Sequence, residues 1–278
     1  MILDGKKLKK EILAQLKNKI ISENLMIKLA IILVGNDEAS KVYIRNKEKA
    51  CLEVGIDVIK YEMPDDTTEE EVCNLIKVLN ANETITGIIL QSPVPNGIDF
   101  NKCSSLIDSK KDVDGFTKDN IYNLYLNKET ILPCTVKGII RLLLEYNIPI
   151  AGSNVVIVGR GLIVGKPLGL ALLNNDATVT WVHSKTKNLA SITKNADILI
   201  SATGKDHLIT SDMVKEGATV IDVGTSWIDN KLVGDVDFES VSNVAGYITP
   251  NPGGVGPMTV AMIMDNLVEM KMRSKDNG

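Results

Sequence analysis

Histidine is scarce in this chain: His183 and His207 are the only two. The four cysteines, Cys51, Cys73, Cys103 and Cys134, are scattered along it, with no CxxC pair and no Cys/His cluster. That spacing argues against a structural zinc site, and no metal is expected. Unclustered cysteines fit a reducing compartment rather than a disulfide framework. No apolar run approaches the ~18 residues that a membrane-spanning helix needs. Met1 leads directly into a charged helical segment, so no signal peptide is visible and a cytoplasmic location is expected. Positive charge is not in excess either: the net charge of −4 gives no reason to expect nucleic-acid or bulk membrane binding. A phosphate-binding GxxxxGK[ST] loop, internal repeats and low-complexity segments are all missing.

What is present is ordinary globular composition, 44% hydrophobic over 278 residues, a length that favours two domains over one. Asp4 can cap a helix whose apolar positions Leu8, Ile12, Leu16 and Ile20 recur at i+4. Leu29–Val34 reads as a buried parallel strand. A helix over Ser40–Val54, a strand over Ile56–Met63, a helix over Thr68–Asn80 and a strand over Gly87–Leu90 continue the alternation that builds a parallel sheet. A helix over Thr135–Tyr146 is stopped by Pro149. A second series follows: strand Val155–Val158, helix Gly165–Asn174, then strands Thr178–Val182, Ala196–Ser201 and Thr219–Val223. The expected fold is therefore two α/β domains around a cleft. Residues 1–147 form the first and 148–257 a Rossmann-like parallel-sheet domain that binds a dinucleotide. A final helix from Met258 returns to complete the first domain over 258–278.

The densest signal is the loop Thr249–Thr259, TPNPGGVGPMT. Proline fixes φ and removes a donor, while glycine lets another group approach the backbone. Three of each in so short a span make a stiff loop with bare peptide groups, suited to walling a flat ligand; a tight turn ahead of a helix is the plainer alternative. Upstream, Val155–Gly165 reads VVIVGRGLIVG: a strand, three glycines (Gly159, Gly161, Gly165) and a helix. The glycine spacing is one residue longer than GxGxxG, but the context suits phosphates resting on a helix N-terminus. The next strand ends in His183-Ser184-Lys185, without the carboxylate that would hold an NAD ribose. Arg160, Ser184 and Lys185 suit a 2′-phosphate instead, which favours NADP. His183 is read as a packed surface residue.

The candidate catalytic residues are sparser. Tyr43 and Lys47 share one helix face at i,i+4. They sit in a charged run (Lys41, Arg45, Glu48, Lys49) that reads equally well as a solvated surface. A lysine acts as a general base only where its surroundings lower its proton affinity. Gln91 ends a strand and opens Gln-Ser-Pro-Val-Pro, where an amide can both donate and accept. Lys111-Asp112-Val113-Asp114-Gly115 is either an Asp-Gly turn or a carboxylate presented to an amide-like ring edge.

Taken in order, VGNDEASKVYIRNK (34–47), LQSPVP (90–95), KDVDGF (111–116), PCTVKG (133–138), VGRGLIVGKP (158–167), HSKT (183–186), GDVD (234–237) and TPNPGGVGPMTVAM (249–262) span the chain. In these motifs it resembles the bifunctional methylenetetrahydrofolate dehydrogenase/methenyltetrahydrofolate cyclohydrolase family. The resemblance implies oxidation of 5,10-methylenetetrahydrofolate with NADP, then hydrolysis to 10-formyltetrahydrofolate, in a cytoplasmic homodimer of one-carbon metabolism supplying purine, histidine and methionine biosynthesis. It implies Lys47 as the catalytic lysine of hydrolysis, Tyr43 flanking the folate, Gln91 tuning Lys47 and Asp114 holding the pterin. Pro252, Gly253, Gly254, Val255 and Gly256 would line the folate pocket. Gly159, Arg160, Gly161, Ser184 and Thr225 would hold NADP. The family usually has Ser where Gly161 stands, Leu at Ser92 and an apolar residue at Thr225, differences that bear on cofactor affinity. With no phosphate-binding loop, a formyltetrahydrofolate synthetase activity is not expected. Two other readings remain at this level: a dehydrogenase of the shikimate-dehydrogenase type, and a dinucleotide-sensing module without turnover.

Overall fold

A computed structural model describes residues 1–228 and 231–276. The chain divides into two compact units, Met1–Lys9 with Thr135–Thr259, and Lys10–Cys134 with the segment from Val260 onward. The first and last long helices each begin in one unit and continue in the other.

Helix α1 (Gly5–Ser22) opens on Asp4, whose Oδ1 accepts from Lys7 N at 2.9 Å. Its recurrent apolar positions Leu8, Ile12, Leu16 and Ile20 are all buried, as i+4 spacing requires. Then come β1 (Lys28–Val34), α2 (Glu38–Val54), β2 (Asp57–Met63), α3 (Glu69–Ala81), β3 (Gly87–Leu90), α4 (Phe100–Ser104) and α5 (Lys118–Tyr125). The strands form a parallel sheet ordered β2-β1-β3. Because β1 is central, Leu29–Val34 is buried on both faces, which explains its unbroken apolar sequence. Val72, Ile76 and Leu79 of α3 pack with Ala30, Ile32, Ile88 and Leu90 in one core. A capping box fixes the start of α3: Glu71 N donates to Thr68 Oγ1 at 3.3 Å and Thr68 N to Glu71 Oε2 at 2.8 Å.

The unit built on Thr135–Thr259 holds α6 (Cys134–Glu145), β4 (Asn154–Val158), α7 (Gly165–Leu173), β5 (Thr178–Val182), α8 (Leu189–Thr193), β6 (Ile198–Ser201), β7 (Thr219–Asp222), β8 (Ser226–Ile228), β9 (Lys231–Val233), α9 (Phe238–Val241) and β10 (Tyr247–Ile248). Five of the strands form a parallel sheet ordered β10-β7-β6-β4-β5. The chain runs outward from β4 to β5 and then returns to the far side of β4 for β6. That reversal is the point at which doubly wound sheets bind ligands. The N-terminal residues join the other edge, with Leu3 N donating to Ile248 O at 2.9 Å.

Helix α10 (Val255–Asp276) begins three residues ahead of the expected Met258. The glycines of the Pro-rich loop therefore run straight into its first turn. From Val260 onward α10 belongs with the three-stranded unit, as a returning helix should. Its buried Asn266 donates from Nδ2 to Val113 O at 2.9 Å and Leu132 O at 3.0 Å. Gly87 is glycine for this packing: a Cβ there would meet Leu267 Cδ2 at 2.6 Å. Among the described residues no helix is long and apolar enough to cross a membrane.

Candidate active site

In the three-stranded unit, α2, the exit of β3 and the loop after α4 bring four of the expected residues into one neighbourhood. Asp37 caps α2, accepting from Ser40 N at 2.7 Å, and Gly55 closes it at φ 87°. Ile44, Ala50, Cys51 and Val54 bury the inner face. Tyr43 and Lys47 stand one turn apart, Tyr43 exposed and Lys47 half-buried. The charged run around them separates by partner. Lys41 pairs with Glu38 at 2.9 Å, and Glu48 with Lys60 at 3.3 Å. Lys47 instead donates from Nζ to Gln91 Oε1 at 3.0 Å.

Gln91 is 9% exposed, and both ends of its amide are used. Its backbone N donates to Ile32 O at 2.9 Å, and its Nε2 to Ser92 O at 2.7 Å. The same Ser92 carbonyl accepts from the buried Ser40 hydroxyl at 3.3 Å. The amide oxygen is thereby turned toward Lys47. An ammonium has three donors, so one is spent on Gln91 and two remain.

The two carboxylates of Lys111–Gly115 play different parts. Asp112 is buried and accepts from Gly115 N at 2.9 Å, Thr117 N at 2.7 Å and Asn120 Nδ2 at 3.0 Å. It makes the turn. Gly115, at φ 73°, completes it, since a Cβ would press within 2.6 Å of Ile131 O. Lys111 reaches back to the end of α3 and donates to Leu79 O (3.0 Å), Asn80 O (2.7 Å) and Asn82 O (2.8 Å). With both neighbours committed, Asp114 is left without a hydrogen-bond partner among the described residues. Burial pushes its carboxyl above the usual range, the Lys47 charge pulls it down, and Asp112 adds a smaller upward push. Asp114 and Lys47 thus sense one another across the site.

The remaining candidates lie in the five-stranded unit, at the carboxyl ends of its strands. Gly159 leaves β4 at φ 118°, and a Cβ there would collide with Ala202 O beyond the end of β6. A Cβ on Gly165 would lie 2.5 Å from Gly159 O. Both glycines are imposed by close backbone approach. Gly161 is exposed and its Cβ position is open. No side chain caps α7; Lys166 N donates to Gly161 O at 3.0 Å and Pro167 has no N–H, so the Gly165 amide is what its first turn can offer an anion. Arg160, Ser184, Lys185 and Thr225 are all exposed around this end of the sheet. His183 Nδ1 accepts from Lys185 N at 3.2 Å, and His183 N donates to Thr186 Oγ1 at 2.9 Å, a local turn. Asp197, the first carboxylate after β5, is committed to Asn154 N at 2.9 Å and Lys215 at 2.6 Å. These residues fit a phosphorylated dinucleotide: an uncapped helix start, glycines at the points of close approach, and cations beside the second strand.

In the Pro-rich loop Pro252 and Gly256 are exposed, while Gly253, Gly254 and Val255 are buried. Gly254 N donates to Pro250 O at 2.8 Å, and Lys6 N to Gly253 O at 3.1 Å. Asn251 Nδ2 donates to Gly224 O at 2.6 Å.

Sequence reasoning gave no role to a buried carboxylate pair in this unit. Asp235 is 0% exposed and accepts from Ser201 Oγ (2.7 Å), Thr203 N (2.6 Å), Thr203 Oγ1 (2.9 Å) and Lys205 N (2.9 Å). Asp222 accepts from Asp235 N at 3.0 Å and Val236 N at 3.2 Å, and burial pushes its carboxyl up to about 6. The only signal was Asp235 within GDVD, a motif whose neighbours in space are far away in sequence.

Residues 3–114 match the family model for the tetrahydrofolate dehydrogenase/cyclohydrolase catalytic domain. Residues 133–275 match that for the NAD(P)-binding domain of the same family. The bifunctional protein FolD of Ligilactobacillus salivarius is 51% identical over 277 residues, covering 98% of this chain and 97% of that one. The crystal structure of the bifunctional FolD methylenetetrahydrofolate dehydrogenase/cyclohydrolase from Campylobacter jejuni superposes with a TM-score of 0.96 at 44% identity, covering 99% of both chains. The Trypanosoma brucei enzyme, solved with NADP cofactor and inhibitor, gives a TM-score of 0.93 at 35% identity over 99% of this chain and 98% of that one. The chain belongs to the tetrahydrofolate dehydrogenase/cyclohydrolase family.

Proposed function

We propose that this protein oxidises 5,10-methylenetetrahydrofolate to 5,10-methenyltetrahydrofolate with NADP, and then hydrolyses the product to 10-formyltetrahydrofolate. The observation that carries the reading is Lys47, held at 3.0 Å by the fixed amide of Gln91 in a chain of this family. NADP, when bound, takes the hydride. Gly159, Arg160, Gly161, Ser184 and Thr225 would hold it, with the Gly165 amide at the start of α7 offered to its phosphates. The substrate nitrogen lone pair drives hydride departure, so the protein contributes orientation more than base strength. Hydrolysis asks for more. As water adds to the methenyl carbon a proton must be taken up and later returned, and Lys47 is placed to take it as the neutral amine and return it as the ammonium. Gln91 sets where the lysine points, Tyr43 flanks the folate, and Asp114 offers its unpartnered carboxyl to the N–H edge of the pterin. Pro252–Gly256 contributes a stiff wall to the folate pocket.

The proposed division of labour is 1–147 with 258–278 for folate and 148–257 for NADP; the compact units themselves divide after Lys9, Cys134 and Thr259. A cytoplasmic homodimer completes the proposal, on the strength of the family resemblance. The test is an absorbance assay with 5,10-methylenetetrahydrofolate and NADP or NAD in parallel, followed by decay of added methenyltetrahydrofolate. NADP reduction with accelerated methenyl decay is expected. Reduction without accelerated decay would remove the hydrolytic role of Lys47.

A further inference from the structure

Asp235 meets no ligand, since its side chain is wholly enclosed. Burying a carboxylate is costly unless donors satisfy it, and here the donors converge from one loop. Ser201 Oγ, Thr203 N and Thr203 Oγ1 all reach Oδ2, and Lys205 N reaches Oδ1. These four define the path of the chain as it leaves β6. That path matters to the turn after β4, because Gly159 sits against Ala202 O. Asp235 also packs under the chain leaving β7, where a Cβ on Gly224 would run into its Oδ1. Two further bonds tie in neighbouring loops: Ser226 Oγ donates to Gly204 O at 2.9 Å, and Asn251 Nδ2 to Gly224 O at 2.6 Å. Asp235 thus anchors the loop after β6 and packs under the loop after β7, to which Asn251 ties the loop after β10, at the end of the sheet where a dinucleotide rests.

We propose that Asp235 is a positioning residue for NADP, setting the loops after β6 and β7 to the shape the dinucleotide needs. The inference rests on the reading of this unit as the NADP site. Asparagine at 235 keeps the size of the side chain but has a single acceptor oxygen. Turned toward the three-donor corner, it faces Lys205 N with an NH2; turned the other way, it faces three donors with an NH2. Either way the loop after β6 must shift. The Asp235→Asn variant is expected to show a KM for NADP raised about tenfold or more and a dehydrogenase kcat within about threefold of wild type. Hydrolysis of methenyltetrahydrofolate, which consumes no NADP, should be unchanged and reports that the folate unit is intact. Thr203→Val, which removes one of the four donors and leaves the backbone bond, should give a smaller rise in the same KM.

A KM for NADP within twofold of wild type in both variants would overturn the proposal. So would an equal loss of both activities in Asp235→Asn with no KM change in Thr203→Val, since Asp235 would then hold up the fold without setting the cofactor site. Failure of the underlying reading looks different: the wild-type protein would itself neither reduce nor bind NADP.

Discussion

Replacing Lys47 by methionine keeps the length of the side chain and removes its charge and donors. Two effects follow from the geometry. Gln91 Oε1, on a residue 9% exposed, loses its lysine donor, a loss of about 1–3 kcal/mol in stability. More important is the loss of the proton-handling group, which in such sites contributes about 100- to 10,000-fold in rate. Hydrolysis of methenyltetrahydrofolate, followed by its absorbance decay, should therefore fall by about that range. Folate affinity, measured by equilibrium binding, should change by less than about tenfold, because Tyr43, Asp114 and the Pro-rich loop remain. Hydride transfer needs orientation more than a base and should fall far less than hydrolysis. Asp114 supplies an internal control: with the Lys47 charge gone, the largest downward pull on its carboxyl disappears and its pKa should rise further. Hydrolysis within about threefold of wild type would refute the role given to Lys47, as would parallel loss of both activities at unchanged stability.

The remaining predictions concern the supports of the two units. Asp112→Ala should cost roughly 2–4 kcal/mol in urea unfolding, because it removes the carboxylate that accepts from Gly115 N, Thr117 N and Asn120 Nδ2 and strands Thr117 N, whereas Asp114→Asn should leave stability within about 0.5 kcal/mol and raise the folate KM; the reverse pattern would mean that the turn and ligand roles are exchanged. Gly161→Ser, placed in open space, should lower the KM for NADP by about three- to tenfold through one hydrogen bond to a phosphate, and an unchanged or higher KM would count against the phosphate position. Asp222 is raised from 3.8 to about 6, so its favourable contribution is full below pH 3.8 and lost as pH rises through about 6. Relative to Asp222→Asn, the wild type should thus gain about 1–2 kcal/mol between pH 7.5 and 5, and a pH-independent difference in unfolding free energy would show that the burial of Asp222 is relieved in another way.

The strands were legible because this fold writes them plainly. Leu29–Val34 and Val155–Val158 are short apolar runs with both faces covered, and Gly87–Leu90 and Thr178–Val182 appear with the expected bounds. Short elements were not: α4, α5, α8, α9 and the β8–β9 pair have too few residues to show a period. The start of α10 was misplaced because the glycines of PGGVG read as loop, although a helix tolerates Gly and Pro in its first turn. Within the site, sequence spacing brought Tyr43 and Lys47 together but could not choose between Asp112 and Asp114. That choice depends on which carboxylate finds Gly115 N, Thr117 N and Asn120, and only the folded turn decides it. The part played by Asp235 was hidden for a similar reason, since its donors come from positions thirty or more residues upstream.

Lys47 is aimed by an amide and not by a carboxylate. A carboxylate in the place of Gln91 would gain and lose its acceptor character with acidity, and the lysine would swing with it. The amide of Gln91 carries no proton to lose, and its orientation is latched by the Ser92 carbonyl. The aim of the lysine is therefore indifferent to the acidity of the medium. Sensitivity to acid enters instead through Asp114, whose carboxyl is already shifted upward by burial. Acidification should accordingly loosen the grip on the pterin edge while the lysine remains in register with the end of β3.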